Sequence, residues 1–231
     1  MSADADPADA LRTAADTMRA VRDRCVWTQR IGHRDLVPYL VEESAELIDA
    51  IEDGSRADLR EELGDLLWQV LFHAEIASRD PDDPFDVDDV ARGLTEKMVR
   101  RHPHVFAGET AETPERVLEL WNAAKAAEKR ERTSVLDGVS ERMPSLALAQ
   151  KLLGKAARVA PAAELQTARL QPCVETARPA RSLDAPGSEA ELGEALLALV
   201  AVARANGWDA ERALRERLRG LTAQIRAAEA R

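Results

Sequence analysis

Cysteine, aromatic side chains, long apolar runs and positive charge are all scarce in this chain of 231 residues, and each scarcity excludes a class of protein. The two cysteines, Cys25 and Cys173, stand far apart, so no disulfide framework staples a small scaffold. Aromatic residues make up 3% of the chain, against 45% apolar and 32% charged, which suits a helical protein and not an all-β one. The longest apolar run, Ala195 to Ala203, has nine residues, far short of the roughly 20 that a membrane span needs. The first ten residues, MSADADPADA, are acidic and lack an apolar signal core, so a frayed tail and a cytoplasmic location are expected. Lys and Arg total 32 against 42 Asp and Glu, a formal charge of -10. A broad basic surface for stable nucleic acid binding is therefore excluded, and an anionic substrate would need a cation to approach.

What is present is helical periodicity. Apolar residues recur from Leu36 to Asp53, and Gly54 offers a stop. A second helix is expected from Ser55 or Asp58, with Asp58 and Glu61 spaced as a capping box, to near Ser78. A third starts at Asp86 or Asp88 and ends before Pro103, and a fourth opens with Thr113 as cap and Pro114 in its first turn. Pro144 leads a fifth to about Val159. From 160 to 187 prolines punctuate a stretch of weak periodicity, which reads as a linker. Residues 188–231 return to helix with a break at Gly207.

Acids crowd the first two helices, in VEESAELIDAIED and DLREELGDLLWQV. Most of that charge belongs to an ordinary solvated face, and the helical wheel separates it from the rest. At about 100° per residue, Glu43 and Glu46 project among Leu36, Leu40 and Leu47, while Glu62 and Asp65 share a side with Leu59, Leu66 and Gln69. The midpoints of the two pairs are equally distant from Gly54, so an antiparallel hairpin brings them level. Carboxylates gathered in a partly apolar setting repel, and a proton, a basic side chain or a bound cation must compensate. Oxygen-only ligands favour Mg²⁺, with Mn²⁺ as the alternative.

These residues resemble the all-α nucleoside triphosphate pyrophosphohydrolases, and most of all the MazG branch. Glu42-Glu43 and Glu46 correspond to the EExxE half of that family's motif, and Glu62 and Asp65 to its ExxD half. The resemblance runs on in order through CVW at 25–27, PYLVEE at 38–43, KMVRRHPHVF at 97–106 and LWNAAK at 120–125, covering roughly residues 10–155. It implies a four-helix-bundle-type catalytic domain, here 1–159, that hydrolyses nucleoside triphosphates to monophosphate and pyrophosphate as a Mg²⁺-dependent homodimer. By the same resemblance Glu43, Glu46, Glu62 and Asp65 would be metal ligands, and Glu42 or Glu61 would orient water. Lys97, Arg100, Arg101 and Lys125 would contact polyphosphate, and Trp27 and Trp121 would flank the base. His73, on the side of Glu62 and Gln69, is a candidate to support the ligands.

The chain departs from the branch in CVWTQRIGHRD, where Val26 and Thr28 stand at positions of its CPWD segment, and at Asn122, where an acid is common. Glu191-Leu192-Gly193-Glu194 repeats the pattern of Glu62-Leu63-Gly64-Asp65, so residues 188–231 read as a degenerate second helical repeat without a metal site. Two other readings compete: a noncatalytic helical interaction module, and a phosphoribosyl-nucleotide pyrophosphohydrolase of the same fold.

Overall fold

The computed structural model describes residues 10–128, 133–157, 159 and 186–229. The N-terminal tail, most of the expected 160–187 linker and Cys173 lie outside the described residues. Within them the protein is all-α, with no strand, and no helix is long and apolar enough to cross a membrane.

Local chemistry sets the helix ends in the first unit. Helix α1 spans Ala10–Arg24 and is followed by a 3-10 turn, Thr28–Arg30. Helix α2, Val37–Glu52, carries Pro38 in its first turn, where a missing N–H costs nothing. At Gly54 a Cβ would come within 2.6 Å of Ala50 Cα, so only glycine lets the chain reverse this tightly. Helix α3, Arg56–Ala77, then starts from a capping box: Ser55 N–H donates to Asp58 Oδ2 (2.7 Å) and Asp58 N–H to Ser55 Oγ (3.2 Å). The expected pairing of Asp58 with Glu61 is thus corrected, because Ser55 is the residue in extended conformation and Asp58 is already helical. Asp86 and Asp89 cap α4, Val87–Arg101, in the same way. A single turn, α5 at Pro103–Phe106, leads to α6, Pro114–Ala127, which Thr113 caps.

Helices α2 and α3 form the expected hairpin. Its floor is a small core made by Ala15 and Met18 of α1 with Leu36, Leu71 and Phe72, flanked by Ile31, Trp68, Ile76 and Val87. Met18, Leu36 and Phe72 are each at most 2% exposed, and each full burial contributes about 1.5–3 kcal/mol.

The second unit contains α7 (Ser145–Ala156), α8 (Glu189–Ala205) and α9 (Ala210–Glu229), with α7 packed on both of the others. The corner at Gly207 closes α8: Gly207 N–H donates to Arg204 O and Trp208 N–H to Ala203 O, and Gly207 takes φ +72°. The chain divides into compact units after Glu128, while the sequence pattern places the end of the first domain at 159. The difference comes from α7, whose neighbours are the C-terminal helices.

Candidate metal centre

Two turns into α2 and two turns into α3, the hairpin brings Glu43, Glu62 and Asp65 together, with one carboxylate oxygen of each within 4.8 Å of the others. Glu43 and Glu62 are half-buried and Asp65 is exposed. Glu46, expected in the same set, is exposed and lies outside this trio, although its charge acts on both half-buried acids. Burial first, and then the charges of Asp65, Glu46 and Glu42, push the Glu43 carboxyl above its usual range, opposed by a hydrogen bond from the Gln69 side chain. Glu62 is likewise raised, by burial and then by Glu46, Asp65, Glu61 and Glu43.

Oxygen Oε2 of Glu62 is buried and has no hydrogen-bond partner. A buried carboxylate oxygen without a donor is costly, and among the described residues none donates to it. A hard divalent cation supplies what is missing, since it takes oxygen ligands and favours the ionised form. The three acids fit such an ion. Glu42 and Glu61 flank the trio as exposed residues whose charges bear on Glu43 and Glu62 respectively.

Arg100, Arg101 and Trp121 meet around Glu128, while Trp27 packs near the start of α2. Arg101 is 12% exposed, pairs with Glu128 through Nη2 at 2.6 Å and Nε at 3.1 Å, and lies over the Trp121 ring at 5.2 Å. Arg100 also approaches Glu128, at 3.4 Å, so Arg101 and then Arg100 hold that carboxyl below its usual range. His102 Nδ1–H donates to Met98 O (2.7 Å) and the ring meets Trp121 edge-on, which makes it part of the α4 terminus. Lys97 and Lys125 are half-buried on α4 and α6. Trp27 is 50% exposed, with Tyr39 and Phe72 edge-on at 6.1 and 6.5 Å. Among the departures, Thr28 is 4% exposed and its hydroxyl donates to the carbonyls of Val21 and Cys25, closing the end of α1. It therefore serves the backbone, while Val26 is 74% exposed.

Helical periodicity puts Gln69 on the ligand side without giving it a role, and no motif marks out His33. Only the fold reveals Gln69 as a buried side chain that acts on Glu43, and only the fold sets His33 against His73, 40 positions away. No sequence spacing encodes that second contact.

The pattern of the MazG nucleotide pyrophosphohydrolase domain matches residues 31–106, the segment that holds the hairpin. A protein of Streptomyces cacaoi described as an uncharacterized 26.1 kDa protein in the blaB 3' region is 53% identical over 65% of this chain and 62% of its own length. The nucleoside triphosphate pyrophosphohydrolase of Mycolicibacterium smegmatis is 43% identical over 71% of this chain, which spans 51% of that protein. The enzyme of the same name from Escherichia coli K12 is 35% identical over 90% of this chain and 81% of its own length.

Proposed function

The chain belongs to the MazG family of nucleoside triphosphate pyrophosphohydrolases, and from that premise we propose that it hydrolyses nucleoside triphosphates to monophosphate and pyrophosphate at the α2–α3 carboxylates. The unpartnered, buried Oε2 of Glu62 beside Glu43 and Asp65 is the observation that carries this reading.

Glu43, Glu62 and Asp65 would hold Mg²⁺, with Glu46 adding charge from the next turn of α2. When bound, the ion neutralises phosphate charge and makes nearby water more acidic. Glu42 or Glu61 accepts the proton of the attacking water at its carboxylate. The water oxygen bonds to the α-phosphorus, the α–β anhydride bond breaks, and pyrophosphate leaves. No covalent intermediate with the protein is required, so positioning and electrostatics carry the reaction. Lys97, Arg100, Arg101 and Lys125 supply cations for the polyphosphate, with Arg101 exchanging Glu128 for phosphate. Trp27, half-exposed at the corner before α2, and Trp121 offer faces for the base.

The working form is a homodimer. Val41, Ile51 and Leu63 on the hairpin are 64, 63 and 52% exposed, an apolar surface that a second copy would cover. Nucleotide-pool housecleaning in the cytoplasm is the corresponding role. A panel of common and modified triphosphates, assayed with Mg²⁺ for pyrophosphate release, tests the proposal. Pyrophosphate formed in step with monophosphate is expected, and release of orthophosphate, or of nothing by folded protein, would refute it.

A further inference from the structure

Helix α3 carries two buried polar groups that the reaction above does not use. Gln69 is 4% exposed, one turn beyond Asp65 on the ligand face of the helix, and its Oε1 has no hydrogen-bond partner, while its amide acts on the Glu43 carboxyl and holds it lower than burial alone would. One turn further along the same face, Nε2 of His73 is also buried without a partner. Buried polar atoms are seldom left so, and two of them a turn apart call for a common explanation.

The other ring nitrogen of His73 is engaged. Its Nδ1 lies 2.8 Å from Nδ1 of His33, and the two rings are within 5° of parallel with centroids 5.1 Å apart. That separation equals the nitrogen distance plus a ring radius on each side, so the rings meet edge to edge along the bond and not face to face. Such a bond holds one proton, with one Nδ1–H donating and the other nitrogen accepting. His33 is exposed, and its Nε2 finds solvent in either tautomer. His73 has no such freedom. With the proton on its Nδ1, Nε2 would be a second buried acceptor near Gln69 Oε1. With Nδ1 accepting, Nε2–H becomes a donor one turn from the orphaned amide oxygen, and one bridging water satisfies both.

We propose that Gln69, His73 and His33 are positioning residues for Glu43, forming a hydrogen-bonded column from the loop before α2, along α3, and back to the carboxylate on α2. Its functional consequence rests on the metal-centre reading given above. A neutral amide suits the place: it orients an ionised carboxylate by donation yet leaves the negative charge available to a cation, which a Lys or Arg would cancel. The loop end of the column is also fixed. Gly32 N–H donates to Asp35 Oδ2 at 2.9 Å and Leu36 is 1% exposed, so His33 sits on the segment that seats the start of α2.

The full chain with Mg²⁺ alone as ligand supplies the test, through calorimetry and long-range ¹⁵N–¹H NMR of the imidazoles. Wild-type protein is expected to show His73 as the Nε2–H tautomer. Gln69→Leu keeps the volume and the helix but removes the amide; it is expected to weaken Mg²⁺ binding about tenfold and to shift the His73 Nε2 resonance while unfolding stays cooperative. Should that variant not fold, His33→Asn at its exposed position is expected to weaken Mg²⁺ binding by a smaller factor and to mix the His73 tautomers. Unchanged Mg²⁺ affinity in either folded variant, or an Nδ1–H tautomer at His73 in the wild type, would overturn the column. Wild-type protein without a saturable Mg²⁺ site would overturn the proposed function as well, so the two failures are distinct.

Discussion

Glu62-Leu63-Gly64-Asp65 and Glu191-Leu192-Gly193-Glu194 are nearly the same sequence, and the protein uses them for different work. Glu62 sits two turns inside α3, half-buried, with Glu43 of α2 across from it and one oxygen left without a donor. Glu191 sits in the first turn of α8, where its carboxylate accepts from Gly187 N–H (2.7 Å) and its own N–H donates to Ser188 Oγ (3.2 Å). One acid keeps an oxygen without a donor, and the other already has the helix N-terminus. An acidic motif on a helix becomes a site through what faces it and how deep in the helix it lies.

The largest effect should separate the two motifs outright. Glu62→Gln and Glu43→Gln are expected to lower pyrophosphate release on the order of a hundredfold or more, with Glu191→Gln and Glu194→Gln close to wild type in a steady-state assay. Equal losses in all four would erase the distinction. Next in size is the hairpin's floor: Phe72→Ala should destabilise the first unit by about 3–5 kcal/mol in denaturant unfolding, because Phe72 is 2% exposed in the core beneath α2 and α3. A smaller effect sharpens the other side of the comparison. Ser188→Ala removes the cap that Glu191 shares and should cost the second unit about 1 kcal/mol, with no change in turnover.

The smallest effect concerns pH. Folding raises the Glu62 carboxyl above its ordinary value of 4.5, so the ionised form opposes folding in ion-free protein at neutral pH. As pH falls through the raised value the opposition is relieved, and below the ordinary value both states are protonated and nothing further is gained. Ion-free Glu62→Gln should therefore melt above the wild type at neutral pH, and the gap should close on acidification. Mg²⁺ binding runs the other way and should strengthen as pH rises, because protons compete for the same oxygens. A gap that widens on acidification would contradict the burial and repulsion assigned to Glu62.

Much of this was legible in the sequence because the signals are local. The end of α2 follows from Gly54 and the start of α3 from Ser55, and the ends of α4, α6 and α8 from Asp86, Thr113 and Gly207, each acting within one turn of backbone. The meeting of Glu43 with Glu62 and Asp65 followed from symmetry about Gly54. Helix α1 was not anticipated, since its core contribution rests on Ala15 and Met18, whose partners lie far along the chain. Glu46 lies about 60° from Glu43 on the wheel, is exposed and sits outside the trio, because a wheel gives direction and not depth. The His33–His73 bond, and the capture of Arg101 by Glu128, are tertiary contacts that no helical period announces.

On the proposal above, facing helices, and not the acidic motif alone, make the metal centre. Titration of the full chain with Mn²⁺, followed by electron paramagnetic resonance, tests it most directly by comparing wild type, Glu62→Gln and Glu194→Gln. The account predicts saturable binding in the wild type, its loss in Glu62→Gln and its retention in Glu194→Gln. Equal binding by all three proteins would contradict it.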